Sequence, residues 1–153
     1  MLLSPEELSC RLTKIRQAMS REGCESLLLR SIPSQLYLTG SVVSGWIYVP
    51  GEGKPIFFPD RTGNRLSDYD PALVIPVWKP EQIPAELESL GYRIDKGTAL
   101  EKSYLTEVDY ERLSKLSPSG VSSVDAGALL RQVRMTKTPG EIRLIRETAA
   151  RHS

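Results

Sequence analysis

The chain has 153 residues, with 20 Lys and Arg against 19 Asp and Glu and a formal net charge of +1. Hydrophobic residues make up 40% and charged residues 25%, which fits one folded globular domain and excludes global disorder or a binder of nucleic acid or acidic membrane acting by bulk charge. No run approaches the ~20 apolar residues of a membrane span, and residues 1–7 lack the basic and apolar regions of an export signal, so a cytoplasmic location is expected.

In chain order, Ser4, Pro5 and Glu7 supply a cap, a Pro in the first turn and an acidic side chain, so a helix should start here. Leu8, Leu12, Ile15 and Met19 give it an apolar face, and Gly23 should stop it. Leu27, Leu28 and Leu29 read as a central strand covered on both faces. Residues 34–38 suit a short helical turn ended by Gly40, and residues 41–45 a loop. Residues 46–49 and 55–58 form the arms of a hairpin with a long, glycine-containing loop, followed by a polar connection over 60–67. A short strand is expected over 72–75, a helix over 82–90 stopped by Gly91, and a strand over 98–101. Thr106 should cap a helix with Val108, Leu113 and Leu116 facing inward, and residues 121–124 can return to the sheet. Asp125 can cap a helix over 126–133, and Thr138, Pro139 and Glu141 repeat the logic of the amino terminus. Strands alternating with helices, plus a hairpin, give an α/β fold with a mixed, mostly parallel sheet and helices on both faces.

Chemistry has few candidates. The single histidine, His152, stands almost at the end, which removes Ser-His-acid and Cys-His schemes. Cys10 and Cys24 are read as reduced, small apolar fillers. Asp60, Glu101 and Asp125 could in principle hold Mg²⁺, and they are set against a structural reading: Asp60 opens a turn, Glu101 accepts from loop amides and Asp125 caps a helix. No Gly-rich phosphate loop is present. The basic residues Arg131, Arg134, Lys137, Arg143, Arg146 and Arg151 read as a solvated or interdomain helix face. The last helix carries Ile142, Ile145 and Ala149 on one side and meets no terminator, so the chain is expected to be the front part of a longer protein: a domain over 1–135, then a linker and first helix of a second domain over 136–153.

Several segments together carry a resemblance. They are residues 12–19 leading to Gly23 and the Leu27–Leu29 run, Tyr37-Leu38-Thr39-Gly40, Phe58-Pro59-Asp60-Arg61, Leu100-Glu101, Leu105-Thr106, Tyr110-Glu111-Arg112-Leu113, then Asp125, Arg131 and Arg134, and finally Lys137-Thr138-Pro139-Gly140-Glu141-Ile142 running on to Arg146. The chain resembles the amino-terminal domain of the creatinase, prolidase and aminopeptidase P superfamily, which has a ribonuclease H-like fold. It departs from the family at Ser34, where Asn is usual, at Arg61-Thr62, where Arg-Tyr is usual, and at Gly140. The resemblance implies a non-catalytic domain of a proline-directed metallopeptidase, an Xaa-Pro dipeptidase or aminopeptidase, with a creatinase-like amidinohydrolase as the less favoured activity of the whole enzyme. It places no cofactor in this chain and two divalent ions (Mn, Co or Zn) in a carboxy-terminal catalytic domain. The implied partners are that catalytic domain and a second copy in a homodimer, with peptide substrate reached only through the whole enzyme, and neither nucleic acid nor membrane. Trp46 and Arg61 are the implied residues beside the active-site mouth. For Trp46 a half-buried hairpin aromatic, and for Arg61 a surface ion pair, stand as the alternatives. A self-contained α/β binding or oligomerisation module is the other reading of the whole chain, and a last helix folded back on the sheet would favour it.

Overall fold

The computed structural model describes residues 3–42, 44–60, 73–137 and 139–152. Helix α1 spans Pro5–Glu22; the Ser4 side chain accepts from the Glu7 amide, and Gly23 closes the helix in the left-handed region at φ 79°. Strand β1 is Ser26–Leu29, and α2 is Ile32–Thr39. Helix α2 starts earlier than the sequence suggests, because Ser31 caps it and Pro33 fits its first turn. The hairpin is β2, Gly45–Val49, and β3, Ile56–Pro59. A 3₁₀ turn at Pro80–Gln82 leads into α3, Ile83–Ser89. Strand β4 is Thr98–Leu100, followed by α4, Glu107–Ser114, α5, Ala126–Met135, and α6, Pro139–His152.

The sheet has the order β3-β2-β1-β4 and is mixed: β1 pairs antiparallel with β2 and parallel with β4, and β2 pairs antiparallel with β3. Parallel bridges extend both edges, Phe57 to Val74 and Asp60 to Val77 on one side and Leu100 to Asp125 on the other. The strand expected over 72–75 is thus two spaced bridges at Val74 and Val77, with Ala72 outside the described residues. The Ile75 amide donates to Phe57 and the Val77 amide to Pro59. Pro76 falls between these donors, the kind of position that confines proline to a sheet edge.

Strand alternation divides the core. Leu27, Leu29, Ile47, Val49, Phe57 and Ala99 pack with α1, α2 and α5 on one face. Leu28, Trp46, Tyr48, Ile56, Phe58 and Leu100 pack with Ile83 and Leu87 of α3 and Leu113 of α4 on the other. Helices therefore cover both faces, as the uninterrupted leucine run requires.

Two expectations are corrected. Val108 is 75% exposed; it lies in the first turn of α4, whose buried residue Leu113 is five positions on and so on another side of the helix. Cys10 is exposed while Cys24 is buried, because Cys10 lies two positions from both Leu8 and Leu12, about 200° around α1 from its packed stripe. Helix α6 does not fold back onto the sheet: residues 142–151 are all exposed.

Candidate functional site

The carboxyl ends of β1 and β3 open onto a cleft of about 300 Å³, the end of an α/β sheet where ligands are usually received. Behind the Arg30 side of the cleft lies Glu101, a carboxylate only 2% exposed just after β4. Oε1 accepts from the amides of Arg30 and Ser31, and Oε2 accepts from the hydroxyls of Ser31, at 2.6 Å, and Ser34, at 2.9 Å. A buried carboxylate survives only with such partners. The result is a fixed turn between β1 and α2, and the Arg30 carbonyl is held in addition by Gln35 Nε2 at 2.9 Å.

That turn aims the Arg30 side chain. Its guanidinium lies 4.6 Å from the centroid of the Trp46 ring, and Nη2 reaches Asp60 Oδ2 at 3.3 Å. The Ser44 hydroxyl donates to the same Asp60 oxygen at 2.7 Å. Asp60, Arg30 and Trp46 therefore form one stack of carboxylate, cation and aromatic face. Trp46 itself belongs to β2, opposite Phe58, and is 7% exposed, so it is the floor of the cleft and not part of the preceding loop.

The opposite wall comes from Trp78, Lys79 and Pro80 before α3 and from Asp109 and Arg112 of α4. Gln82 Oε1 accepts from the amides of Trp78, at 2.6 Å, and Lys79, fixing the approach to the 3₁₀ turn. Arg112 grips Glu81 with two donors, Nη2 at 2.8 Å from Oε2. The Arg112 hydrogen bond holds the Glu81 carboxyl below its ordinary value. Trp78 is 70% exposed and is the accessible aromatic of the cleft.

The sequence singled out Trp46 and Asp60 and missed Arg30, Trp78 and Arg112. An arginine ending a buried strand, and a tryptophan between Val77 and Lys79-Pro80, are the signals that could have found two of them. Arg61 lies outside the described residues. Asp60, Glu101 and Asp125 do not converge on one point. Glu101 accepts the loop amides as expected, and Asp125 caps α5 through the Gly127 amide at 2.9 Å and also accepts from the Ser103 hydroxyl. Burial would raise the Asp125 carboxyl, but Ser103 and the Gly127 and Ala128 amides outweigh it and the net shift is downward. Among the described residues no three His, Cys, Asp or Glu side chains gather where a metal ion could sit. No described helix is long and apolar enough to cross a membrane.

A family model described as the Creatinase/Prolidase N-terminal domain matches residues 11–136. None of the curated proteins compared with the chain matches it. Among solved structures it is similar to an Xaa-Pro dipeptidase from Bacillus anthracis, with a TM-score of 0.71, 16% identity, and coverage of 92% of this chain and 39% of that one. It is also similar to dipeptidase PepE from Mycobacterium ulcerans, with a TM-score of 0.66, 22% identity, and coverage of 94% of this chain and 40% of the other. The N-terminal domain of the cytoplasmic peptidase PepQ from Mycobacterium tuberculosis H37Rv gives a TM-score of 0.65 at 16% identity, covering 81% of this chain and 98% of that one. The chain thus spans about two fifths of the first two dipeptidase chains and nearly all of the isolated domain.

Proposed function

The chain belongs to the Creatinase/Prolidase N-terminal domain family, and we propose that it serves as the non-catalytic domain of a proline-directed metallopeptidase, an Xaa-Pro dipeptidase or aminopeptidase. In this reading residues 1–135 are the domain and residues 136–153 lead into the segment that owns the metals. The observation that carries it is the match over residues 11–136, which stops three residues before α6 begins at Pro139. The exposure of residues 142–151 supports the same boundary, since a self-contained module would bury the apolar side of its last helix.

The domain's work is to form the homodimer and to shape access to an active site. The cleft suits the second task. Arg30, Lys79 and Arg112 offer cations, Asp60 and Asp109 offer carboxylates, and Trp78 offers an exposed aromatic edge against which a short peptide end can rest. Trp46 contributes indirectly, as the surface on which Arg30 lies.

The purified 153-residue chain, incubated with an Xaa-Pro dipeptide and Mn²⁺, should release no proline. Release above the level of a protein-free sample with the same Mn²⁺ would refute the non-catalytic reading. In a longer protein that contains this chain and hydrolyses such dipeptides, Trp78→Ala should change KM for the peptide with a smaller effect on kcat. Unchanged KM would remove the cleft from the path of the substrate.

A further inference from the structure

Helix α6 meets the body at its first turn, and residues 142–151 beyond it are exposed. Arg11, seven residues into α1, has its side chain largely buried. Its Nε lies 3.0 Å from Glu7 Oε1 one turn earlier, its Nη1 donates to the Tyr37 carbonyl at 2.6 Å, and its Nη2 stands 3.9 Å from Glu141 Oε2. The guanidinium also lies 4.6 Å from the Tyr37 ring centroid. One cation thus touches α1, α2 and α6. Two more contacts fasten the same place: Lys14 Nζ donates to the Thr136 carbonyl, and Gly140 sits so close to Glu7 that a Cβ there would overlap its carboxylate. Gly140 and Glu141 are half-buried, whereas residues 142–151 are exposed.

We infer that Arg11 is a latch that fixes the root of α6 on α1 and thereby sets the direction in which α6 leaves the domain. The geometry explains three choices of residue. Arginine presents a fork of donors that can serve two carboxylates and a carbonyl together, which a lysine ammonium on a flexible stem does less well. Glutamate in the first turn of α6 answers both the guanidinium and the positive end of the helix. Glycine at 140, otherwise a poor helix former, allows the close approach to Glu7. Leverage makes the latch consequential: a 14-residue helix is about 21 Å long, so a tilt of about 10° at its root moves its far end by roughly 3–4 Å. Arg11 is in these terms a positioning residue, and the inference holds whatever follows α6.

Hydrogen exchange on the 153-residue chain tests it, comparing the wild type with Glu141→Gln, Arg11→Lys and, as a control on the exposed part of the same helix, Arg143→Gln. Amides of residues 140–146 should exchange at least about three-fold faster in Glu141→Gln and Arg11→Lys. They should be unaltered in Arg143→Gln, and the amides of β1 should keep their protection in all three. Equal exchange in α6 for wild type and Glu141→Gln would overturn the latch. So would a β1 that loosens in step with α6 in Glu141→Gln, since that would signal general destabilisation. Because Arg11 also holds α2, its variant alone does not decide the matter; Glu141→Gln does.

Discussion

Glu101 is a charged residue with almost no exposure, and its stability rests on four donors from one short turn. Glu101→Gln replaces one acceptor oxygen by a donor that faces hydroxyls already donating, so it should cost about 2 kcal/mol in urea unfolding. A loss below about 0.5 kcal/mol would mean that the turn is held by other contacts. Gly45 is a second such residue. At φ 152° a Cβ there would overlap the Phe58 carbonyl and lie 2.6 Å from Pro59 Cα, both backbone atoms of β3 that cannot swing aside. Gly45→Ala should therefore cost at least about 2 kcal/mol, against well under 1 kcal/mol for Gly23→Asn at a helix end, with thermal or urea unfolding as the readout. Tyr37 gives a pH dependence. Burial first, then the Glu141 carboxylate, pushes its phenol up to about 12. The fold accepts the neutral form, so this contribution is whole below the ordinary value near 10 and is lost as pH rises toward 12. The Tm of the wild type should fall more steeply than that of Tyr37→Phe between about pH 10 and pH 12; parallel curves would contradict the assignment. At this scale the sequence was partly legible. The bonding roles of Glu101 and Asp125 follow from acids placed beside polar turns. Trp46 and Trp78 could not be ranked, because exposure depends on which side of a strand or turn a ring falls, and that is set by tertiary packing.

Helices were legible where their ends carry chemistry. Ser4, Thr106 and Asp125 each cap the helix they precede, and Gly23, Gly40 and Gly91 mark stops with positive φ. Interior faces were less secure: Val108 has the right residue type but the wrong angle around α4. The edge segment around Val74 and Val77 was misread as a continuous strand because two spaced bridges leave a weaker trace than a ladder. Helix α6 belongs to this scale as well. A helix of its length is marginal alone in water, and Ile142, Leu144 and Ile145 are all exposed. Ile145→Lys should leave the Tm of the 153-residue chain within about 2 °C, the behaviour of a surface substitution. In the proposed parent enzyme the same change should weaken packing against the following segment and lower the Tm more. A large loss in the chain by itself would mean that α6 is covered within the domain.

For the molecule as a whole, one sheet with two packed faces places the ends of β1 and β3 beside α4, and this is what creates the cleft. Sheet class, hairpin and coverage on both faces could be read from the leucine run and the spacing of glycines. The cleft could not, because Arg30, Trp78 and Arg112 are brought together across more than eighty positions of sequence. The central claim is that this domain serves a metal-dependent neighbour, and translation past codon 153 of the gene tests it most directly. An open frame of roughly 200–250 further residues, the scale of one more domain, is expected, containing the side chains that hold the two divalent ions. A stop codon at that position, with the native protein isolated at the mass of this chain alone, would contradict it.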